Sequence, residues 1–392
     1  MRILFVADGR SPTALGWIEY FTRSGHEVHL VSTFVCDPNL KLASQQVVPV
    51  AFSGAVKESR SGRGLRAGLP TGLRTTLRNW LGPLTIKTAA NRLRQVIDEI
   101  KPDLVHAMRI PFEGMLAAAA DPGIPLLISV WGNDFTLHAR SNPLMAAATR
   151  KAMARADALH TDTKRDQQLA QGWGFAAGKP SIVLPGNGGV RADIFYPASH
   201  APGDVRVINP RGIRSYVRND TFFRASALVL EKMPDVHFDC PAMQGEPEAE
   251  RWVKKLDLGE RVHLLPKLTL PQLAEAYRRA TVMASPSTHD GTPNSLLEAM
   301  ACGLFPVCGD LASIREWIQD GENGLLVDPG DAQALATAII KGLTDSELRE
   351  RAASINAKQV SERADYERNM KAVETFYEQL VQDRHVSLRK AR

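Results

Sequence analysis

Two carboxylates and an anion site can be read from one stretch, Ser285-Pro-Ser-Thr-His-Asp-Gly-Thr-Pro-Asn-Ser-Leu-Leu-Glu-Ala-Met-Ala-Cys-Gly303. The apolar run 282–285 predicts a buried strand, and small polar residues follow it. Thr292 is suited to cap a helix and Pro293 to open it. The first amides of that helix, at Asn294, Ser295 and Leu296, would then be free donors. Together with Gly291 and Thr292 they predict an anion site at the carboxyl end of a parallel strand. Asp290 lies just before the helix and Glu298 one turn inside it. Acceptors for hydroxyls beside donors for a pyrophosphate are what a sugar nucleotide requires. An acidic loop before an amphipathic helix would explain the carboxylates, but not the Thr-Pro cap or the strand-end placement.

A departing nucleoside diphosphate also needs cations, because negative charge develops on it in the transition state. The segment Asn209-Pro-Arg-Gly-Ile-Arg-Ser-Tyr-Val-Arg218-Asn-Asp220 follows another predicted strand, 205–208, and supplies Arg211, Arg214 and Arg218. Arginine grips phosphate oxygens bidentately. Asp220 is expected to cap a helix over 220–233.

Positioning these groups requires a particular scaffold. In the first half, predicted strands at 3–7, 27–32, 104–106, 126–130, 158–161 and 182–184 alternate with helices, among them 113–120, 143–155 and 164–171. The pattern restarts near residue 205. Further strands follow at 236–240, 262–265, 282–285, 306–307 and 324–327. Helices are expected at 246–256, 270–279, 293–302, 312–318 and 331–342. Strands alternating with helices imply parallel sheets built by right-handed crossovers. The fold class is α/β, two Rossmann-like doubly wound domains facing a central cleft, with ligands outside the carboxyl ends of the strands. The expected boundaries are 1–185, a Pro- and Gly-rich linker at 186–203, 204–362, and a C-terminal helical segment at 363–392.

The run Asp290-Gly-Thr-Pro-Asn-Ser-Leu-Leu-Glu-Ala-Met-Ala-Cys-Gly-Leu-Phe-Pro-Val307 resembles the signature of retaining family-4 glycosyltransferases of the GT-B fold. Gly321-Glu-Asn-Gly-Leu-Leu-Val-Asp-Pro329, Leu184-Pro-Gly-Asn-Gly188 and Asp193-Ile-Phe-Tyr-Pro197 follow the same habit. Asp290 stands where the family usually has Glu. The resemblance implies an acceptor-binding first domain, a nucleotide-sugar donor domain at 204–362 and a final helix that crosses back to the first domain. It implies that Arg211 and Arg218 match the family's cationic pair, with Arg214 a rival to Arg211. Asp290 would orient the sugar and Glu298 the ribose. Ser129-Val-Trp-Gly-Asn-Asp134 resembles the family's His-Gly-x-Asp element, with Trp131 in place of His. Trp131 would stack on a sugar and Asp134 would accept a hydroxyl. His106 and the loop from Asp8 to Gly16 would line the cleft. The expected activity is sugar transfer from a UDP- or GDP-sugar to a glycan, glycolipid or small-molecule acceptor, with no metal and no cofactor. A sugar-nucleotide epimerase, a glycan phosphorylase and a non-catalytic partner subunit are the alternatives.

Composition agrees with a globular chain. Of 392 residues, 44% are hydrophobic and 23% charged, which excludes a disordered or collagen-like polymer. The net charge of +5 is too small for a dedicated nucleic-acid binder unless clustered. Four scattered cysteines fit neither a disulfide framework nor zinc-ligand spacing. No signal-peptide core or membrane span is present, so the expected location is cytoplasmic. One cluster does stand out. Residues 57–94 hold nine Lys or Arg against the single acid Glu58, interleaved with leucines and Trp80. An anionic membrane surface is the expected partner of that stretch, and nucleic acid is not.

Overall fold

A computed structural model describes residues 1–51, 53, 71–199 and 204–390. The basic residues Lys57, Arg60, Arg63 and Arg66 lie outside the described residues, as do linker residues 200–203. The chain divides into two compact units, Met1–Gly188 with Met370–Arg392, and Gly189–Asn369.

The first unit holds a seven-stranded sheet of β1 (Arg2–Ala7), β2 (Glu27–Ser32), β3 (Ser44–Val47), β4 (Leu104–Ala107), β5 (Leu126–Val130), β6 (Ala158–Thr161) and β7 (Ser181–Val183). Its order is β3-β2-β1-β4-β5-β6-β7, with every pairing parallel. Helices α1 (Pro12–Arg23), α2 (Thr71–Ile100), α3 (Met115–Ala120), α4 (Pro143–Arg155) and α5 (Lys164–Gly172) make the connections. Strand β3 was not expected. Its sequence Ser-Gln-Gln-Val lacks the apolar run of a central strand, and an edge position tolerates that. The segment expected as a loop to Gly16 is already helical from Pro12. Ser11 caps α1 by accepting the Ala14 amide.

The second unit repeats the plan. Strands β8 (Arg206–Ile208), β9 (His237–Cys240), β10 (Val262–Leu264), β11 (Val282–Ser285), β12 (Phe305–Gly309) and β13 (Leu325–Val327) lie in the order β10-β9-β8-β11-β12-β13, all parallel. Its helices are α6 (Asn219–Lys232), α7 (Pro247–Lys255), α8 (Leu270–Arg279), α9 (Asn294–Ala301), α10 (Ala332–Thr344) and α11 (Ser346–Arg363). Successive strand residues point to opposite faces. Val207, Val282, Ala284 and Val307 enter one core, while Ile208, Met283 and Cys308 enter the other. The helix expected over 312–318 shrinks to a single 3-10 turn at Ile314–Glu316. Helix α11 gave no sequence signal, because only Leu348, Ala352, Asn356 and Val360 are buried along it. The last helix, α12 (Tyr366–Lys390), places residues 370–392 in the first unit.

The reversal of strand order falls between β1 and β4 in the first sheet and between β8 and β11 in the second. Such a switch point opens a crevice at the carboxyl ends of its two strands.

Candidate active site

In the second unit the switch point brings Arg211, just after β8, to Asp290, just after β11. The guanidinium donates to the Asp290 carboxylate at 2.7 Å and to the Ser295 hydroxyl at 3.1 Å. Asn209 sets the turn by accepting the Arg211 amide through its side chain at 3.1 Å. The Arg211 and Asp290 side chains are about nine-tenths buried. Burial, the largest influence, would lower the Arg211 pKa, but the Asp290 charge and hydrogen bond, together with Tyr216 and Tyr277, hold it above the usual value. Two further donors, Asn209 Nδ2 and Arg211 Nε, are buried with no acceptor. Buried donors are rarely left without an acceptor.

Helix α9 begins beside this pair, though not with the expected cap. Pro293, not Thr292, is the N-cap. The Thr292 hydroxyl instead accepts the Trp317 indole N–H at 2.9 Å. The Leu296 amide is not free either, since it donates to the Pro293 carbonyl at 3.0 Å. That leaves Asn294 and Ser295 to present the helix's opening amides. The helix ends at Gly303, whose φ of +84° suits glycine alone among common residues. The Gly303 amide donates to the Met300 carbonyl and the Leu304 amide to the Ala299 carbonyl, closing a Schellman motif. The Ala-Cys-Gly of the sequence run is therefore a helix stop.

Glu298 lies within α9 and is buried. Burial pushes its carboxyl pKa up to about 7, against the Tyr277 hydroxyl at 3.4 Å and the Arg211 charge, which both lower it. Tyr277, on α8, also donates to the Ser295 carbonyl at 3.3 Å. Sequence reasoning missed Tyr277, because nothing in a helical Tyr-Arg-Arg points to a carboxylate far along the chain. Asn209 could have been found, since Asn two residues before Arg is an Asx-turn signal. Ser313 was also missed, and its hydroxyl donates to the Asp290 carbonyl at 2.7 Å.

The other two arginines do not join Arg211 in gripping Asp290. Arg218 forms a fork with Asp220 at 2.8 and 2.9 Å and is over a third exposed. Asp220 also pairs with Arg224. Asp220 is therefore an ion-pair partner in the first turn of α6, where Arg218 holds the cap position without a side-chain bond. Arg214 is exposed and donates to the Arg211 carbonyl at 3.1 Å.

In the first unit, two of the four expected residues, Asp134 and His106, have other duties. Asp134 is fully buried, and its carboxylate accepts Arg109 at 2.7 Å, the Ile110 amide at 3.1 Å and the Trp131 amide at 3.2 Å. It ties the ends of β4 and β5 together rather than presenting itself to a hydroxyl. Trp131 remains half-buried, with the Arg109 guanidinium 5.3 Å from its ring centre. Gly16 sits inside α1, and a Cβ built there would meet nothing within 4 Å.

His106 is fully buried, not in a cleft. It belongs to a chain of polar groups on one face of the sheet. Trp17 Nε1 lies 3.0 Å from the Tyr377 hydroxyl, which lies 2.5 Å from His106 Nδ1. His106 Nε2 lies 2.8 Å from the Ser129 hydroxyl, which lies 2.8 Å from His160 Nδ1. His160 Nε2 ends the chain at the Leu184 carbonyl, 2.9 Å away. The two ends fix every proton. The indole can only donate and the carbonyl can only accept. Tyr377 therefore donates to His106, His106 to Ser129, Ser129 to His160 and His160 to Leu184, with both histidines neutral and protonated on Nε2. Burial drives the His106 pKa well below its usual value and the His160 pKa to about 4.

Among the described residues no group of three or more His, Cys, Asp or Glu is arranged to hold a metal ion. No described helix is long and apolar enough to cross a membrane.

Residues 214–345 match the family described as glycosyl transferases group 1, and residues 8–186 match the glycosyl transferase 4-like domain. D-inositol 3-phosphate glycosyltransferase from Thermobispora bispora is 28% identical over 185 residues, 42% of this chain and 43% of that protein. The same-named protein of Kribbella flavida is 26% identical over 63% of this chain and 59% of its own length. The matches thus span about half the length of these curated relatives. Among solved structures, sucrose-phosphate synthase from Thermosynechococcus elongatus superposes with a TM-score of 0.77 at 16% identity, covering 98% of this chain and 100% of that one. HepE from Anabaena, in complex with UDP and glucose, gives 0.72 at 17% identity, covering 97% and 100%. These are proteins of the same two-sheet fold.

Proposed function

The chain belongs to the group 1, family-4 glycosyltransferases of GT-B fold, and from that premise we propose that it moves a sugar from a nucleotide donor to an acceptor hydroxyl with retention of configuration. The observation that carries this reading is the buried Arg211–Asp290–Ser295 cluster at the switch point of the second sheet, with the spare donors Asn209 Nδ2 and Arg211 Nε beside it.

In this reading the diphosphate docks against Arg211 and the opening amides of α9 at Asn294 and Ser295. Arg218 swings from Asp220 to share its charge. Gly291 and Thr292 form the loop wall, Leu296 backs it, and Arg214 braces the Arg211 turn. Asp290 orients Arg211 and the sugar hydroxyls together, and Glu298 takes the ribose. Fixed cations stabilise the charge that develops on the leaving phosphate, which accepts the proton of the acceptor hydroxyl on the same face. Trp131 offers the acceptor a flat apolar surface.

UDP is the first nucleotide to test, because the similarly folded HepE is described with UDP, and GDP is the second. The sugar is a hexose or an N-acetylhexosamine. The product belongs to cell-surface glycan or glycolipid assembly on the cytoplasmic side of a membrane.

The test is a thermal-shift titration of UDP, GDP and UDP-glucose, followed by donor turnover. A ligand at 100 times its dissociation constant stabilises by about 2.7 kcal/mol. Arg211→Met should remove that shift and lower turnover by about 100- to 1,000-fold. Binding of no nucleotide by the wild type, or full turnover by Arg211→Met, would overturn the reading.

A further inference from the structure

Helix α2 presents an apolar stripe to the outside of the first unit. Its inner side is fixed by Gly82, where a Cβ would come within 2.5 Å of the Phe112 ring and 2.8 Å of Ala51. Ile86, Ala89, Ala90 and Leu93 continue that buried side into the core. At about 100° per residue, Trp80, Leu84, Lys87 and Asn91 then point directly away from the core. Trp80 is 48% exposed, Leu84 65% and the flanking Leu81 42%. The other exposed large apolar side chains, such as Val35, Leu144 and Leu270, have no such neighbour within a helical turn. Lys87 and Arg92 are exposed further along the helix. The sequence from Ser59 to Ile97 has no acidic residue.

A Trp and two Leu held outward on α2, with Lys87 and Arg92 following them ahead of the helix's only acids, Asp98 and Glu99, are complementary to a surface with an apolar interior and an anionic skin. We propose that the outer stripe of α2, through Trp80, Leu81, Leu84, Lys87 and Arg92, docks the first unit onto an anionic lipid bilayer. Trp80 and Leu84 enter the headgroup–acyl boundary, and Lys87 and Arg92 meet lipid phosphates. An acidic protein would satisfy the two cations but would not call for the bare leucines. A second copy of this chain would set Lys87 and Arg92 against like charge. The proposal does not depend on the donor reading, and its test uses neither donor nor acceptor.

The test is co-sedimentation of the full chain with vesicles of phosphatidylcholine alone or mixed with phosphatidylglycerol, at low and high salt. The wild type should partition about ten-fold or more in favour of the anionic vesicles, and salt should weaken the preference. Trp80→Ser with Leu84→Ser should lower partition onto both vesicle types by about ten-fold or more. Lys87→Glu with Arg92→Glu should lower it only onto anionic vesicles. Leu144→Ser, an exposed leucine on α4, should change nothing. All five substituted side chains are exposed, and matched melting temperatures confirm that the fold is kept. Equal partition onto both vesicle types, unchanged partition of Trp80→Ser with Leu84→Ser, capture by an acidic protein without vesicle binding, or dimer formation through the stripe would each overturn the proposal.

Discussion

The two sheets share a strand order and differ in what they bury. The first buries a neutral polar chain from Trp17 to Leu184 whose protons run one way. The second buries the Arg211–Asp290 ion pair beside Glu298, a carboxyl that tends to keep its proton. A neutral chain with every partner satisfied rigidifies its surroundings and leaves nothing for a ligand. The first unit also buries an ion pair, Arg109–Asp134, but there the carboxylate is taken up by two backbone amides as well. In the proposed reading, buried polarity frames the strands of one half and meets a ligand in the other.

This contrast has opposite signs on a pH axis. The largest expected effect is acid loss of the first unit. His160 has a folded pKa of about 4 against 6.5 in a free histidine, so its contribution is full above pH 6.5 and lost as pH falls toward 4. That is about 3 kcal/mol for His160, and His106 adds to it in the same direction. Hydrogen exchange at pH 7 and pH 4.5 should show β4, β5 and β6 losing protection before β8 and β11. Equal protection at both pH values would erase the distinction drawn between the sheets.

Glu298 should do the reverse. Its folded pKa of about 7 exceeds the free value of 4.5, so its contribution is full below pH 4.5 and lost as pH rises through 7. Glu298→Gln should remove a pH dependence of up to about 3 kcal/mol across that window, read from denaturant midpoints. Tyr277→Phe should raise the Glu298 pKa further, because Tyr277 stabilises the ionised carboxylate. The smallest expected effect is Thr292→Val, which leaves the buried Trp317 N–H without an acceptor. It should cost about 1–3 kcal/mol at all pH values, sharpening the separation between positioning and titrating groups.

Much of this was legible in the sequence because it depends on local patterns. Strands such as Ile3–Ala7 and Val282–Ser285 announce themselves by short apolar runs, and α9 by its flanking Thr-Pro and Cys-Gly. The placement of Arg211 near Asp290 was legible only as two strand-end segments. Their pairing follows from β8 and β11 being neighbours, which is a property of sheet order. What failed was side-chain destination. His106, Asp134 and Thr292 have the right types for a site, yet long-range partners claim them: Tyr377, Arg109 and Trp317. A polar residue at a strand end does not reveal whether its partner is a ligand or a distant part of the chain. Strand β3 and helix α11 were missed because neither has an apolar period strong enough to read.

Tyr377 closes the buried chain from 271 positions beyond His106. A ribosome therefore releases the whole first sheet, and then the whole second unit, before the phenol that completes the first arrives. Until then the Trp17 indole and the His106 ring wait without their shared partner. The opening half of this polypeptide is synthesised first and finished last, and a gene fragment stopped at residue 188 would yield a sheet that lacks its keystone.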